Sequence, residues 1–468
     1  MMGSTRRGCR SGSPGSLAPR CVTWAGPGGP MARIHIGLLD RALIVESPHV
    51  SLDGFLKQSG IEATRLDRVP DEETLIELIQ KTKAQILFKR SRVPVSARVI
   101  AECPSLMSIQ LCCIGTDSVD LEAAADHGVL VFNDPVSNGR SVVELAIAHL
   151  IALSRRLYET DVDMHSHRWS KSASGRFEVL GKVLGIVGLG NIGRQVARAA
   201  EALGMEIRFF DNRLVAQEVG IEMGWTSCQD PEQLFRSSDM VTVHTSARDA
   251  YGSDNAHFLD DVLHELAADR PEPSPRIFLN LARGNLHRSE ALLAAVEQGT
   301  IRRAAVDVYP TEPRPGADAW RNPYAGEARV ICTPHIGAST QEAQPRIARR
   351  VATTTDRFSR LGSLRDCVFE PRATMGLGEL SAGKAVLAVV HSVSRGTKKA
   401  VDDAIYQAEA SNLGSMHRDL PNGIAYDLSV LDRPLKRPEL EALTERAVQL
   451  AADARAIRSI RQIVVSGA

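Results

Sequence analysis

The sequence lacks the features of membrane-spanning and nucleic-acid-binding proteins. No apolar run reaches the roughly 18 residues that a membrane span needs. The longest candidate, residues 145–153, is short and contains His149. Lysine plus arginine number 56, as do aspartate plus glutamate, so the net charge is zero. Because a nucleic-acid or membrane-surface protein carries a basic excess, we expect neither partner.

Cysteine motifs and acidic residues near the start are also missing. The eight cysteines form no C-x-x-C pair, so we expect no metal site and no disulfide framework, which favours a cytoplasmic protein. No acid precedes Asp40, and no apolar stretch there resembles a secretory signal. We expect residues 1–32 to be a disordered tail or a start extension; an arginine-rich transit peptide is the alternative.

The remaining chain alternates short apolar runs with helical spacing. Its 468 residues, 43% hydrophobic, are enough for roughly two to four domains. Such alternation predicts parallel α/β sheets. In the first unit the predicted strands are residues 34–38, 85–88, 106–111 and 129–132, and the predicted helices are 72–83 and 121–127. After a helix over 141–158, the second unit has predicted strands at 183–187, 206–210, 240–243, 276–279, 303–308 and 329–332.

A third segment follows a glycine-containing connection at residues 376–383. Its pattern predicts, in order, strand 385–392, helix 398–410, strand 413–419, strand 424–431, helix 438–452 and strand 457–465. Pro421, Asn422 and Gly423 lie between two apolar runs, a strong hairpin signal. The order βαββαβ predicts a small antiparallel sheet backed by two helices.

A dinucleotide-binding signature opens the second unit. The run Gly188-Leu-Gly190-Asn-Ile-Gly193 fits G-x-G-x-x-G, directly after a predicted strand and before a predicted helix. Gly188 permits a tight turn, Gly190 allows close approach of a pyrophosphate, and Gly193 allows the helix to pack on the strand. The acidic residue at the end of the next strand, Asp211, suits the ribose hydroxyls and favours NAD over NADP, although Arg213 nearby weakens that preference.

Three further polar residues follow predicted strands of the second unit. Arg283, Glu312 and His335 each lie just beyond the carboxyl end of a strand, the edge of an open α/β sheet where ligands bind. An arginine there can bind a carboxylate and polarise a carbonyl. A histidine can take a hydroxyl proton, and a glutamate can orient the imidazole and raise its pKa. Together they indicate hydride transfer from a 2-hydroxy acid.

The chain resembles the D-isomer-specific 2-hydroxyacid dehydrogenases, and within them the bacterial D-3-phosphoglycerate dehydrogenases. Five stretches carry the likeness: Cys113-Ile-Gly-Thr-Asp-Ser-Val-Asp-Leu121, Ser137-Asn-Gly-Arg-Ser-Val-Val-Glu-Leu145, residues 181–193, Asp307-Val-Tyr-Pro-Thr-Glu-Pro313 and Thr333-Pro-His-Ile-Gly-Ala-Ser-Thr-Gln-Glu-Ala-Gln344. The resemblance implies two Rossmann-like doubly wound lobes, the cofactor lobe inserted into the substrate lobe, and a C-terminal ACT-like domain. The expected boundaries are 33–137 and 338–375 for the substrate lobe, 138–337 for the NAD lobe and 376–468 for the ACT-like domain.

The resemblance also assigns expected roles to individual residues. The catalytic triad is Arg283, Glu312 and His335. Cofactor contacts fall on Gly188, Gly190, Asn191, Ile192, Gly193, Asp211, Ala282, Asp307 and Gly337. The cations expected to bind an anionic substrate are Arg90, Arg92 and Lys171. Two departures from the family pattern stand out: Arg288 replaces an acid, and residues 259–275 read as a long surface-loop insertion.

In the C-terminal segment the match is partial. His391 and Asn412 fall on positions that hold serine in serine-inhibited relatives, whereas the position of a second asparagine is Val393. Inhibition by serine is therefore in doubt. If serine does not bind, we expect the domain to serve for assembly alone. From the resemblance we also expect a homodimer or homotetramer.

The resemblance thus implies NAD-dependent oxidation of 3-phospho-D-glycerate to 3-phosphooxypyruvate, the first step of L-serine biosynthesis. Two alternatives stay open. One is a dehydrogenase or reductase for another 2-hydroxy acid, such as 2-hydroxyglutarate or glycerate. The other, of a different class, is an NAD(H)-sensing binding protein.

Overall fold

Three β-sheets organise the chain in a computed structural model, which describes residues 20–24, 32–248, 253–313, 320–369, 375–376 and 383–464. Two of the sheets are wholly parallel, with five and seven strands, and the third is a mixed sheet of six strands. The mixed α/β class that the sequence predicts is therefore confirmed. The parts of the predicted tail at 1–19 and 25–31 lie outside the described residues, as does most of the 376–383 connection.

The first two strands join the last sheet of the chain. Strand β1 (Arg20–Trp24) pairs antiparallel with β2 (Ala32–Ile36), and β2 runs parallel beside Ile457–Val464. The prediction that residues 34–38 are a strand of the first parallel sheet is therefore wrong, and so is the expectation that all of residues 1–32 lie outside the fold. Pairing satisfies an otherwise open backbone edge, and Ile34 is buried in the apolar core of that sheet.

The first lobe is the five-stranded parallel sheet, in the order β4-β3-β5-β6-β7. Asp71, Ser96 and Asp120 start three of its helices by accepting a backbone N–H with their side chains. Its elements are β3 (Arg41–Val45), α1 (Ser51–Gln58), β4 (Glu62–Leu66), α2 (Glu72–Thr82), β5 (Ile86–Lys89), α3 (Ala97–Glu102), β6 (Ser108–Leu111), α4 (Leu121–Asp126) and β7 (Leu130–Phe132).

Two helices connect the lobes where the sequence predicts one. Helix α5 (Gly139–Arg155) ends at Arg156, and α6 (Leu157–His165) follows at once. Arg156 has a φ of 57°, in the left-handed region that only a minority of non-glycine residues adopt. The predicted helix over 141–158 misses this break because no glycine or proline marks it.

The second lobe is the seven-stranded parallel sheet, in the order β10-β9-β8-β11-β12-β13-β14. The strand order reverses between β8 and β11, which opens a crevice at the carboxyl ends of these strands. Its elements are β8 (Val183–Val187), α7 (Asn191–Ala202), β9 (Glu206–Phe210), α8 (Leu214–Glu222), β10 (Thr226–Ser227), α9 (Pro231–Arg236), β11 (Met240–Val243), β12 (Ile277–Asn280), α10 (Ser289–Glu297), β13 (Arg303–Val306) and β14 (Val330–Cys332).

Much of the segment 259–275 belongs to the core of this lobe. Leu259, Leu263 and Leu266 are fully buried in its apolar cluster, so the interpretation of the whole segment as a surface loop is wrong, whereas residues 268–273 are exposed or half-buried. The same segment explains Arg288, whose backbone N–H and Nε donate to the two carboxylate oxygens of buried Asp260, at 2.7 and 2.6 Å. The segment 259–275 thus supplies Asp260 as the acidic partner of Arg288, which directly precedes α10.

The last part of the chain returns to the first lobe and then forms the mixed sheet. Helix α11 (Ala343–Leu361) packs on α1. The elements that follow are β15 (Ala385–Ser392), α12 (Thr397–Gln407), β16 (Asn412–Leu420), β17 (Ile424–Leu431), α13 (Arg437–Ala451) and β18 (Ile457–Val464). Their order is the predicted βαββαβ; its assignment as an ACT-like domain stays a prediction.

Three strands of the mixed sheet, β15, β17 and β18, are buried on both faces. The outer face of the sheet carries α12 and α13, and its inner face packs into the core of the first lobe. Tyr426 donates to the carbonyl of Gly362 at 2.7 Å, and buried Arg461 donates to the carbonyls of Phe358 and Ser359 at the end of α11. The C-terminal segment is therefore fixed to the first lobe. In the described parts of the chain, no helix is both long and apolar enough to cross a membrane.

Candidate active site

A histidine and a glutamate meet beyond the ends of β13 and β14. Nδ1 of His335 lies 2.9 Å from each carboxylate oxygen of Glu312. Because a carboxylate only accepts, Nδ1 carries the proton, and in the neutral imidazole the lone pair lies on Nε2. The two side chains are 45% and 39% exposed, so the pair is accessible from solvent.

Each partner shifts the pKa of the other. The hydrogen bond and the charge of Glu312 raise the pKa of His335 above its ordinary value, against the effect of burial. Burial by itself raises the pKa of Glu312, but the hydrogen bond and charge of His335 bring the pKa of this carboxyl below its usual range. The pair therefore favours an imidazolium beside a carboxylate, as a proton-accepting histidine needs.

Buried Asp307 holds the loop that carries His335. Its Oδ1 accepts from the Thr333 hydroxyl at 2.6 Å and from the Ile336 backbone N–H at 2.8 Å, and its Oδ2 accepts from the Gly337 N–H at 2.8 Å. His335 itself has a φ of 55°, an uncommon backbone conformation for a non-glycine residue. Asp307, predicted as a cofactor contact, thus has a positioning role that the sequence did not reveal.

Arg283 reaches across to the first lobe. Its Nε donates to Asp117 at 3.2 Å, and its Nη1 donates to the carbonyl of Ala282 at 2.8 Å. A Cβ added at Gly115 would lie 2.5 Å from Nη2, so the lack of a side chain there leaves room for the guanidinium. Arg283 therefore stands where the two lobes meet.

The glycine-rich turn fits the phosphates of a dinucleotide. Gly188 has a φ of 91°, and a Cβ there would meet the carbonyl of His244 at 2.9 Å. A Cβ on Gly193 would lie 2.2 Å from the carbonyl oxygen of Gly188, whereas the nearest atom to one on Gly190 is at 3.9 Å. The first and third glycines are thus required for packing, and the second leaves space over the N-terminus of α7, where anions bind.

Asp211 closes the strand after the turn. Its Oδ2 accepts from the Leu189 N–H at 2.9 Å, and the Arg213 side chain donates to both carboxylate oxygens, at 2.8 and 2.6 Å. Although burial alone raises the pKa of Asp211, these contacts lower it below the ordinary value. The carboxylate is ionised and forms an ion pair with Arg213, the cation that weakens the expected preference for NAD.

The other predicted cofactor residues frame the same crevice. Asn191 donates to the carbonyl of Pro135 at 3.3 Å, which ties the start of α7 to the segment between the lobes. Ile192 follows it in the first turn of that helix. Ala282 directly precedes Arg283, and a Cβ on Gly337 would lie 3.1 Å from Asp307.

Buried Glu46 organises the loop with two of the predicted substrate cations. Its carboxylate accepts the backbone N–H groups of Arg90, Arg92 and Val93, at 3.1, 2.7 and 3.2 Å. Arg92 also donates its Nε to Glu46. Burial raises the pKa of the half-buried Cys113 thiol to about 11, and the charges of Lys89, Arg283 and Arg90 oppose that rise.

The structure does not bring Lys171 to the triad. It lines an open groove with residues of the segment after α6, including Arg168 and Trp169, and none of the three triad residues is among those that line it. Trp169 is 80% exposed. A role for Lys171 at the substrate stays a prediction.

The two predicted effector residues are held within the C-terminal sheet. His391 is buried against Asp427, with Nε2 3.1 Å from Oδ2. Asn412 starts β16, and its amide lies 3.5 Å from the Ser429 hydroxyl. Serine binding by these residues is untested.

Asp117, Gly115 and Glu46 are site residues that sequence reasoning missed. The first two lie inside the family-like stretch that begins at Cys113, which is the signal that could have found them. Glu46 has a φ of 68° and follows a buried strand, and nothing in its local sequence marks it.

Comparison with known proteins identifies the family. Residues 147–337 match the family described as D-isomer specific 2-hydroxyacid dehydrogenase, NAD binding domain. D-3-phosphoglycerate dehydrogenase of Escherichia coli (strain K12) is 35% identical over 342 residues, 72% of this chain and 78% of the relative. D-3-phosphoglycerate dehydrogenase 1 of Saccharomyces cerevisiae is 29% identical over 422 residues, 88% of this chain and 86% of the relative.

The fold has a counterpart among solved structures. A glyoxylate reductase from Paecilomyes thermophila superimposes with a TM-score of 0.60 at 24% identity, and covers 71% of this chain and 99% of its own. On these grounds the chain belongs to the D-isomer specific 2-hydroxyacid dehydrogenase family and is an NAD-dependent dehydrogenase.

Proposed function

We propose that this dehydrogenase oxidises 3-phospho-D-glycerate to 3-phosphooxypyruvate, the first step of L-serine biosynthesis. The observation that carries the proposal is the likeness to relatives named D-3-phosphoglycerate dehydrogenase over 72% and 88% of the chain. Arg90, Arg92 and Arg283 support it, because a substrate with both a carboxylate and a phosphate needs several cations.

The proposed chemistry divides between three side chains. Bound NAD supplies the acceptor for the hydride. Nε2 of His335 takes the hydroxyl proton as the carbonyl forms, and Glu312 stabilises the resulting imidazolium. Arg283 binds the substrate carboxylate and polarises the developing carbonyl, in exchange for its contact with exposed Asp117. Gly188, Gly190, Gly193 and Asp211 hold the cofactor.

We further propose a cytoplasmic homodimer or homotetramer. Free cysteines among the described residues fit a reducing compartment. Exposed apolar side chains on α6, among them Leu157, Val162 and Met164, offer a surface for self-association.

Glu312→Gln should move the pH dependence of the reaction to lower pH. Glutamine keeps a hydrogen-bond acceptor but removes the charge that raises the pKa of His335. Oxidation needs a neutral imidazole, so its rate rises as pH passes upward through that pKa. The rising limb of kcat/KM against pH should therefore lie at lower pH in the variant. An unchanged limb would contradict the assignment of the proton-accepting group to His335.

Selective turnover is the test of the substrate. NADH formation by the purified chain should be fastest with 3-phosphoglycerate when a coupled enzyme removes the product, compared with 2-hydroxyglutarate, glycerate and lactate. Arg90→Gln serves as the matched variant: it should weaken use of 3-phosphoglycerate more than use of glycerate, which lacks the phosphate. Preference for another acid would overturn the substrate and keep the triad. Silence with all four despite NADH binding would favour the NAD(H)-sensing alternative.

A further inference from the structure

Three strands of the C-terminal sheet bring two histidines and an aspartate together. In the sheet β17 lies between β15 and β16. Asp427 of β17 is the register partner of Val389 on one side and of His417 on the other. His391 is two residues beyond Val389, so its side chain projects from the same face. The three side chains therefore form one cluster outside the catalytic cleft.

The cluster is compact and mostly buried. Nε2 of His391 lies 3.1 Å from Oδ2 of Asp427, and Nδ1 of His417 lies 2.6 Å from Oδ1 of the same carboxylate. One nitrogen of each ring and a carboxylate oxygen all lie within 4.8 Å of one another. His391 and Asp427 are 2% and 1% exposed, whereas the side chain of His417 is 38% exposed. The cluster is thus open to solvent on the His417 side.

The hydrogen bonds of His391 place a lone pair against a carboxylate. Nδ1 lies 2.7 Å from the carbonyl oxygen of Ser392, which only accepts, so Nδ1 carries the proton. In the neutral ring, Nε2 then has a lone pair and faces Oδ2 of Asp427, a second acceptor. Two buried acceptors at this distance need a cation between them, either a second ring proton or a metal ion. A histidine fixed by a backbone carbonyl in this way is typical of metal ligands.

His417 has the same arrangement. Its Nε2 lies 3.1 Å from Oδ1 of Asp419, so donation to that exposed carboxylate leaves the lone pair of the neutral ring on Nδ1. Nδ1 in turn faces Asp427. Lys398 stays at 3.8 Å from Oδ2, outside the space between the three ligands.

We propose that this cluster binds a divalent zinc-type ion through Nε2 of His391, Nδ1 of His417 and the carboxylate of Asp427. Two imidazoles and a carboxylate suit Zn²⁺, which accepts nitrogen and oxygen ligands in tetrahedral geometry, with water in the fourth position. Ser392 and Asp419 hold the two ring protons away from the ion. The sequence predicts no metal site here because the ligands come from separate strands and show no motif spacing.

The ion would connect strands that do not pair with each other. β16 is the edge strand of the sheet, and most of its residues are exposed. A metal shared by β15, β16 and β17 fastens that edge to the sheet interior, and the free energy of metal binding adds to the stability of the folded segment.

Metal titration of the full-length, chelator-treated protein without a histidine tag tests the proposal. Calorimetry with Zn²⁺ should give one ion per chain, and Co²⁺ should give the visible absorption of a tetrahedral ion with nitrogen ligands. Losing an outer-shell partner costs about 10–100-fold in metal affinity. His417→Gln, which changes a partly exposed ligand, should therefore weaken Zn²⁺ binding at least about tenfold. Asp427→Asn should do the same.

The matched control is His165→Gln, a change at an exposed histidine that also lies beside an aspartate. It should bind Zn²⁺ like the unchanged protein, and Zn²⁺ should raise the melting temperature of both by more than that of His417→Gln. Absence of a stoichiometric ion in the unchanged protein would overturn the proposal. So would unweakened binding in His417→Gln, which keeps the buried ligands and is expected to fold.

Discussion

His335→Gln should lower kcat by about 10²–10⁴-fold, the usual contribution of a positioned general base. Glutamine fills similar space and can still approach Glu312, but it cannot take a proton. Steady-state NADH formation at saturating substrate measures the change. Affinity for NADH, followed by fluorescence, should stay within about twofold, because the residues proposed to hold the pyrophosphate and ribose, on the turn after β8 and at Asp211, are unchanged.

The matched variant for this prediction is His287→Gln. His287 is another histidine of the same lobe, and burial lowers its pKa, so it is neutral at the pH of the assay. It should retain most of the activity if it folds, as judged by its circular dichroism. Equal losses at both positions would point to a general structural effect and count against a specific base. A His335→Gln enzyme with more than a tenth of the original kcat would exclude His335 as the base.

The second lobe could be predicted from the sequence because its sequence signals are local. A short apolar strand, three glycines and a helical face stand together between residues 183 and 203, and strands β8, β9 and β11 have the predicted bounds. The catalytic edge follows from the same logic, because carboxyl ends of parallel strands share one side of a sheet. The contact between Glu312 and His335 could be predicted because both residues follow the carboxyl ends of strands in this sheet.

Other features depend on partners far away in the chain. Nothing in the sequence around Ile34 tells that its strand pairs with Ile460 and not with the neighbouring parallel sheet. The contact of Arg283 with Asp117 joins two lobes, and the three residues of the C-terminal cluster come from three strands. Periodicity reports which face of an element is buried, but it does not report what covers that face.

Arg283→Lys should lower kcat/KM by about 10²–10³-fold, the cost of losing one oriented donor at a developing oxyanion. Lysine keeps the charge but not the planar pair of N–H groups that binds a carboxylate in two places. Initial rates at low substrate measure the effect. NADH affinity should again be nearly unchanged, since the side chain lies on the substrate side of the site.

Gly115→Ala gives a sharper form of this test because it leaves the arginine in the sequence. The new methyl group would lie 2.5 Å from Nη2 of Arg283, so the guanidinium has to move. Gly54→Ala is the control, since a Cβ there meets nothing within 4 Å. We expect Gly115→Ala to lose at least about tenfold in kcat/KM, a misplacement effect smaller than that of Arg283→Lys. If Gly115→Ala were fully active while Arg283→Lys was not, the guanidinium of Arg283 would matter but its observed position would not. Losses in both variants, with Gly54→Ala unaffected, would tie catalysis to this placement of the guanidinium between the two lobes.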